Sequence, residues 1–313
     1  MCGLCGVAGQ GISVTDREIF SDLLQVSSIR GLDSTGVAVV TAGRSIHMKK
    51  VIGNSTNFIA NELNDKQSLL RMSCVDLLMG HTRWATKGTV SQQNAHPFRT
   101  DHLIGAHNGT LHDARFKDAN RTDSEMMFLE MDKEGVVTTL SDLDFDAAFA
   151  ISVYDTKTET LWLTRNKERP LYIARSPVHD VLYWASELQM LHWVLGRHDL
   201  KDCDYRVVDR NTAIEIPLSK IKRWNKDEDD YWTVHAVPVR QVGFSTKNFR
   251  VPIINGATTY TPSKTHYKCD YCLRELTNQE MQLNQRICAD KSKMYLCNTC
   301  EKYDEEYDNK AAS

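Results

Sequence analysis

The 313-residue sequence lacks several features that would announce a function outright. It has no excess charge of either sign. Its 38 Lys and Arg stand against 41 Asp and Glu, a formal net charge of −3. That balance argues against a general nucleic-acid or anionic-membrane surface, a local basic patch aside. No apolar run approaches the ~20 residues that a membrane helix needs. The amino terminus has neither the basic n-region nor the apolar h-region of a signal peptide. The expectation is a cytoplasmic protein that does not enter a membrane. Without an export signal, the nine cysteines read as reduced thiols, metal ligands or a nucleophile rather than disulfides. The N-x-[ST] matches at Asn54, Asn108 and Asn120 therefore carry no weight as glycosylation sites. Internal repeats and low-complexity blocks are absent too.

What is present is ordinary globular composition, 41% hydrophobic and 25% charged. Thr15-Asp16-Arg17-Glu18 reads as a capping box, followed by Phe20, Leu23, Leu24 and Ser27 at helical spacing. Short apolar stretches follow at Gly36–Val40, Asp76–Gly80 and Leu103–Ala106. More come at Ala148–Tyr154, Thr160–Thr164, Leu171–Ala174 and Val181–Ala185. Polar turns separate them, so they read as meander-like antiparallel strands, with helices over Thr122–Met131 and Glu187–Leu195. Grouped strands with helices packed over them predict a layered α+β domain rather than a doubly wound parallel sheet. The character changes near residue 225, where Asn225–Tyr231 is strongly acidic. The predicted organisation is a main domain over 2–240, a linker or extended segment over 241–266, a cysteine-bearing module over 267–302 and a flexible acidic tail over 303–313.

Five polar or Gly-rich stretches lie beside strand ends, where sites tend to form. They are Arg30-Gly31-Leu32-Asp33-Ser34-Thr35-Gly36, Gly80-His81-Thr82-Arg83-Trp84-Ala85-Thr86-Lys87-Gly88, Asn94-Ala95-His96-Pro97, His107-Asn108-Gly109-Thr110 and Thr122-Asp123-Ser124-Glu125. A sixth feature is Cys2-Gly3. Removal of Met1, compatible with a small penultimate residue, would leave Cys2 with a thiol nucleophile beside a free α-amine. The pKa of such an amine, near ~8, lets it serve as base at neutral pH. In order and spacing the six resemble the glutaminase domain of class II glutamine amidotransferases, which are N-terminal-nucleophile (Ntn) hydrolases. The resemblance covers roughly residues 2–215 and includes the amino-terminal domain of glucosamine-6-phosphate synthase.

The resemblance implies a four-layer αββα sandwich of antiparallel sheets and the hydrolysis of L-glutamine through a γ-glutamyl thioester on Cys2. It implies that Asn108 and Gly109 form the oxyanion site, where loss of one donor typically costs ~10²-fold or more in rate. Arg83 matches the residue for the substrate α-carboxylate, a role suited to a planar, permanently charged fork. Asp123 matches the partner of the α-ammonium, and Trp84 and Thr86 match pocket-lining positions. Arg30 matches a residue near the nucleophile whose charge would favour the thiolate. Two departures are Lys87, where close relatives of glucosamine-6-phosphate synthase carry His, and the order of Thr122-Asp123-Ser124-Glu125.

Each element alone has a plainer explanation. Cys2 could be an ordinary buried residue, as Cys5 and Cys74 are expected to be. Asp123 could lie in the first turn of a helix capped by Thr122, with Glu125 completing the box. Asn108-Gly109 is a good tight-turn pair. His81, His96 and His107 read as structural hydrogen-bonding residues, since this mechanism needs no imidazole. Their joint occurrence in order favours the catalytic reading.

The second signal is Cys269-Asp-Tyr-Cys272 and Cys297-Asn-Thr-Cys300, two C-x2-C pairs. Four thiolates would close a structural tetrahedral Zn2+ site in a ribbon or treble clef. The metal would supply folding energy to a module too short for its own core. Basic residues nearby are offset by the acidic tail, so protein contact is favoured over nucleic acid. No phosphate loop, sugar-phosphate domain or ATP-pyrophosphatase signature follows the glutaminase-like region. The expectation is a glutaminase subunit that passes ammonia to a separate acceptor enzyme. Two alternatives are a γ-glutamyl amidohydrolase acting on a small peptide or thiol, and a non-catalytic interaction module.

Overall fold

Alternation of inward and outward side chains builds three separate cores in this protein, and the cores fix its layers. The computed structural model describes residues 2–85, 89–143 and 147–237. The chain divides into two units, residues 1–244 and 245–313, and all described residues lie in the first. In chain order the elements are β1 (Gly3–Gly9), α1 (Val14–Val26), β2 (Ser34–Thr41), β3 (Ile46–Ile52), α2 (Ser55–Asn64) and β4 (Val75–Arg83). Next come β5 (Phe98–Arg99), β6 (Leu103–Thr110), α3 (Asp123–Glu134), α4 (Val136–Ser141), β7 (Ala148–Asp155) and β8 (Thr160–Arg165). The remainder are β9 (Tyr172–Arg175), β10 (Val181–Ala185), α5 (Leu188–Arg197), β11 (Asp204–Val207), β12 (Thr212–Pro217) and β13 (Thr233–Ala236).

The strands form two sheets, a seven-stranded one ordered β11-β9-β10-β1-β4-β2-β3 and a six-stranded one ordered β13-β12-β8-β7-β6-β5. Every pairing between neighbours is antiparallel. On β2, Val37 and Val39 face a core shared with Phe20 and Leu24 of α1, Phe58 of α2 and Leu191 of α5. Their neighbours Ala38 and Val40 face a core between the sheets, opposite Ile104, Ala150, Leu163 and Ile214. On β7, Phe149, Ile151 and Val153 turn the other way and pack with Met127, Phe128 and Leu140 of α3 and α4. A strand period of two with both faces apolar demands cover on both sides. The result is helix, sheet, sheet, helix: the antiparallel, layered α+β architecture expected from the sequence.

Several local expectations are corrected. The cap of α1 is Ser13, not Thr15; Asp16 sits at the third helical position and its carboxylate accepts from Ser13 N–H at 3.0 Å and Ser13 Oγ at 2.6 Å. This register leaves Thr15 exposed and buries Ile19, Phe20, Leu23 and Leu24 on one face. Asn108-Gly109 is not a turn: both lie within β6, opposite Ala150 and Phe149. Cys5 is buried as expected, but Cys74 is exposed. The acidic stretch near residue 225 is bound back to the domain through Asp230, which pairs with Arg175 at 3.0 Å and Arg206 at 2.7 Å. The chain then returns to the six-stranded sheet as β13.

Candidate active site

The site follows from continuing the strand alternation past the end of the intersheet core. Leu4 and Ala8 of β1, Leu77 and Met79 of β4, and Ile104 and Ala106 of β6 all point between the sheets. The same period brings Cys2, His81, Arg83 and Asn108 to that layer. Its apolar filling therefore gives way to a polar end, where Cys2, Arg83, Trp84, Gly109 and Asp123 line one pocket of about 370 Å3, open solvent included.

Cys2 is held from three directions. Its nitrogen donates to Asn108 Oδ1 at 3.2 Å. Its carbonyl accepts from Arg30 Nε at 2.8 Å, and Arg30 is itself paired with Glu187. Its sulfur lies against the backbone of Trp84, accepting from the N–H at 3.4 Å and donating to the carbonyl at 3.6 Å. Burial pushes the Cys2 thiol up from its ordinary pKa, against the lowering influence of the Trp84 hydrogen bond and the Arg83 and Arg30 charges. Arg30 thus acts in the expected direction but does not prevail. At neutral pH the resting group is a thiol, and its use as nucleophile calls for a base.

Asn108 is buried, and its two amide atoms have different fates. Oδ1 holds the Cys2 nitrogen, while Nδ2 makes no hydrogen bond within the protein. A buried donor without a partner costs about 1–3 kcal/mol and calls for a specific explanation. The adjacent Gly109 cannot carry a side chain, because a Cβ there would lie 1.7 Å from the carbonyl oxygen of Ala148.

Asp123 opens α3, whose cap is Thr122; the Thr122 hydroxyl accepts from Glu125 N–H at 3.2 Å. The Glu125 carboxylate lies 3.5 Å from Arg121. Asp123 Oδ2 accepts from Leu111 N–H at 3.0 Å, and Oδ1 from Ser124 N–H at 2.9 Å. The carboxylate is therefore both a helix-start anion and a wall of the pocket. Arg83 is buried, with Nη1 donating to Thr89 O at 3.2 Å. Trp84 is half exposed.

Behind the pocket lie three buried histidines. His81 Nε2 donates to His107 O at 3.1 Å, and His107 Nε2 donates to Ala148 O at 3.3 Å. His107 Nδ1 then accepts from Ser124 Oγ at 2.8 Å. The His96 ring stacks 4.2 Å from His81, with neither nitrogen hydrogen-bonded in the protein. The expected hydrogen-bonding role thus holds for His81 and His107 but not for His96. Burial lowers all three pKa values, that of His81 to about 3, so they are neutral.

Of the residues singled out from sequence, Cys2, Arg83, Trp84, Asn108, Gly109 and Asp123 come together. Arg30 grips the Cys2 backbone and does not line the pocket. Thr86 lies outside the described residues, as do Met1 and Cys269, Cys272, Cys297 and Cys300. Sequence reasoning missed Glu187, which pairs with Arg30 from 157 positions away, and Asp33, which accepts from Ala85 N–H at 2.7 Å. No periodicity could have reported either pairing. Among the described residues, no cluster of three or more His, Cys, Asp or Glu could hold a metal. No helix among them is long and apolar enough to cross a membrane.

Residues 91–193 match the family described as glutamine amidotransferase domain. That matched stretch contains Asn108, Gly109 and Asp123 but not Cys2, Arg30 or Arg83. The chain is 28% identical over 244 residues to the glutamine–fructose-6-phosphate aminotransferase of Helicobacter pylori, covering 73% of this chain and 38% of that protein. It is 38% identical over 118 residues to the Corynebacterium diphtheriae enzyme of the same name, covering 36% of this chain and 18% of that one. The chain therefore spans well under half the length of these curated relatives. The fold is similar to that of the glutamine phosphoribosylpyrophosphate amidotransferase of B. subtilis, with a TM-score of 0.55 at 20% identity over 76% of this chain and 50% of the other. A second structure, described as the allosteric regulatory enzyme of purine biosynthesis, gives a TM-score of 0.56 at 22% identity over the same shares. The likeness to these two structures is one of fold, two antiparallel sheets with helices over them.

Proposed function

We propose that the amidotransferase domain hydrolyses the side-chain amide of L-glutamine through Cys2 and supplies the ammonia to a separate acceptor enzyme. The observation that carries this is the divided amide of Asn108. One end holds the Cys2 nitrogen, and the other is a buried donor left open in the residue next to Gly109, which lines the pocket. In the mature chain the Cys2 α-amine, directly or through a water, takes the thiol proton as Sγ bonds to the amide carbon. The negative charge that develops on the amide oxygen falls to Asn108 Nδ2 and the Gly109 N–H. Collapse breaks the C–N bond, the proton passes to the leaving nitrogen, and ammonia departs from a γ-glutamyl thioester. Water then attacks the thioester, releasing glutamate and restoring the thiol. Arg83 binds the α-carboxylate, Asp123 the α-ammonium, and Trp84 and Thr86 complete the walls.

This chemistry requires removal of Met1. Purified protein should be assayed for glutamate release and treated with the glutamine-like electrophile 6-diazo-5-oxonorleucine, followed by intact-mass measurement. One adduct on a chain that begins at Cys2, absent in Cys2→Ala, is the expected result. Turnover of γ-glutamyl peptides with inert glutamine would make the protein a γ-glutamyl amidohydrolase instead, and no adduct at all would make it an interaction module. A Zn2+ held by Cys269, Cys272, Cys297 and Cys300 is part of the proposal, resting on the donor set alone. Metal analysis of the full chain, with one zinc per chain lost on Cys269→Ser, tests it.

A further inference from the structure

The motif around Asp33 has no role in the chemistry above, yet it is tied to the nucleophile through one peptide. Asp33 brackets the end of β4. Its N–H donates to Arg83 O at 3.0 Å, and its Oδ2 accepts from Ala85 N–H at 2.7 Å. Between these two anchors lies the Trp84 backbone, whose N–H donates to Cys2 Sγ and whose carbonyl accepts from the thiol. Asp33 is itself held, its carbonyl accepting from Gly53 N–H at 2.9 Å where β3 ends. Gly31 presses on the same peptides: a Cβ there would lie 2.4 Å from the Arg83 carbonyl carbon and 2.7 Å from its oxygen. The segment that meets the sulfur is thus clamped from the loop before β2.

We propose that Asp33 is a positioning residue for the Cys2 thiolate, aiming the Trp84 N–H at the sulfur by holding the Arg83–Ala85 backbone from both sides. This deepens the reading of Cys2 as nucleophile and rests on it. What matters is an acceptor atom at the reach of Oδ2, not its negative charge. An N–H fixed toward sulfur favours the thiolate over the thiol, and an unfixed one does so less. The Trp84 N–H already works in that direction on the thiol.

The test uses three variants of the full chain. Asp33→Ala removes the acceptor, Asp33→Glu keeps the charge but displaces it, and Asp33→Asn keeps the acceptor without the charge. Peptide-resolved mass spectrometry follows iodoacetamide alkylation of Cys2 against pH, with thermal melting as the check on folding. Asp33→Ala and Asp33→Glu should move the alkylation midpoint up by about one pH unit, the scale of one hydrogen bond to a charged group. Glutamine kcat should fall about tenfold, with KM changed by less than about threefold. Asp33→Asn should stay within about threefold of wild type in both. An unmoved midpoint in a folded Asp33→Glu overturns the proposal, as does Asp33→Asn behaving like Asp33→Ala. If wild type turns over no glutamine, the functional reading fails while the alkylation midpoints still decide the role of Asp33.

Discussion

Two helices of this domain begin with a buried or half-buried aspartate, and the two carboxylates differ in how fully the protein uses their acceptor positions. At the start of α1, Asp16 spends both oxygens on the protein. Ser13 donates twice to Oδ2, and Tyr183 Oη at 2.5 Å and His179 Nδ1 at 2.7 Å reach Oδ1. Burial alone would raise its pKa, but the hydrogen bonds from Ser13 and Tyr183 outweigh it and hold the carboxyl below its usual range. At the start of α3, Asp123 accepts from two backbone N–H groups, those of Leu111 and Ser124. Two carboxylate oxygens offer about four acceptor positions, so Asp123 keeps capacity toward the pocket it lines. Both aspartates answer the same local demand, an anion near unpaired helical N–H groups. What separates structure from binding is whether the surroundings use up the acceptors.

The comparison can be broken experimentally. The largest effect is expected at Asp123→Ala. It should lower kcat/KM for glutamine by about 10²–10³-fold, mostly through KM, as expected for losing a charged recognition contact. Its melting temperature should change little, and an equal loss of both would deny Asp123 a binding role. Asp16→Ala should do the reverse. It leaves the Tyr183 hydroxyl unpaired and should cost about 2–3 kcal/mol of stability by urea unfolding. Steady-state kinetics of the folded fraction should stay within about twofold of wild type.

The Asp16 contribution should also depend on pH with a definite sign. A depressed carboxylate stabilises the fold above its unfolded pKa of about 3.9, and that stability is lost as pH falls through the lower folded value. The gap in urea midpoint between wild type and Asp16→Ala should therefore be constant from about pH 5 to 7 and shrink below about pH 4. A gap that persisted at the lowest pH would mean that packing, not charge, holds α1. The smallest effects belong to the caps. Ser13→Ala and Thr122→Ala should each cost about 1 kcal/mol, measurable as a shift in melting temperature. Glutamine KM should move only for Thr122→Ala, because only that cap lies on the pocket.

The contrast between the two aspartates also shows where sequence reasoning has purchase. Thr122 capping α3 was legible because a cap and the N–H that donates to it lie three residues apart. For α1 the same logic chose Thr15, three residues before Glu18, whereas the helix is capped by Ser13, three residues before Asp16. The tertiary partners Tyr183 and His179, which reward Asp16 at the third position, lie far away in sequence. Strand alternation foretold the antiparallel layers, and the motifs gave as site residues Asn108 and five that line the pocket. The open Nδ2 of Asn108, the Glu187 counter-charge and the Asp33 clamp were invisible. Each depends on which atoms of distant segments end up adjacent, and no period encodes that. The histidines were legible as a group but not singly: His81 and His107 found carbonyl partners, whereas His96 packs among the rings of His81, Phe98 and His107.

Cys2 directly precedes β1, and β1 lies inside the seven-stranded sheet, paired on one side with β4 and on the other with β10. That placement has a consequence in time rather than in space. Edge strands and loops open by local excursions, but an interior strand is released only when the sheet around it comes apart. The amides of Leu4 to Ala8 should fall in the slowest class of hydrogen exchange, opening only with global unfolding. A thiol joined to such a strand inherits its lifetime: between one unfolding event and the next, Cys2 should meet every reagent from the same spot.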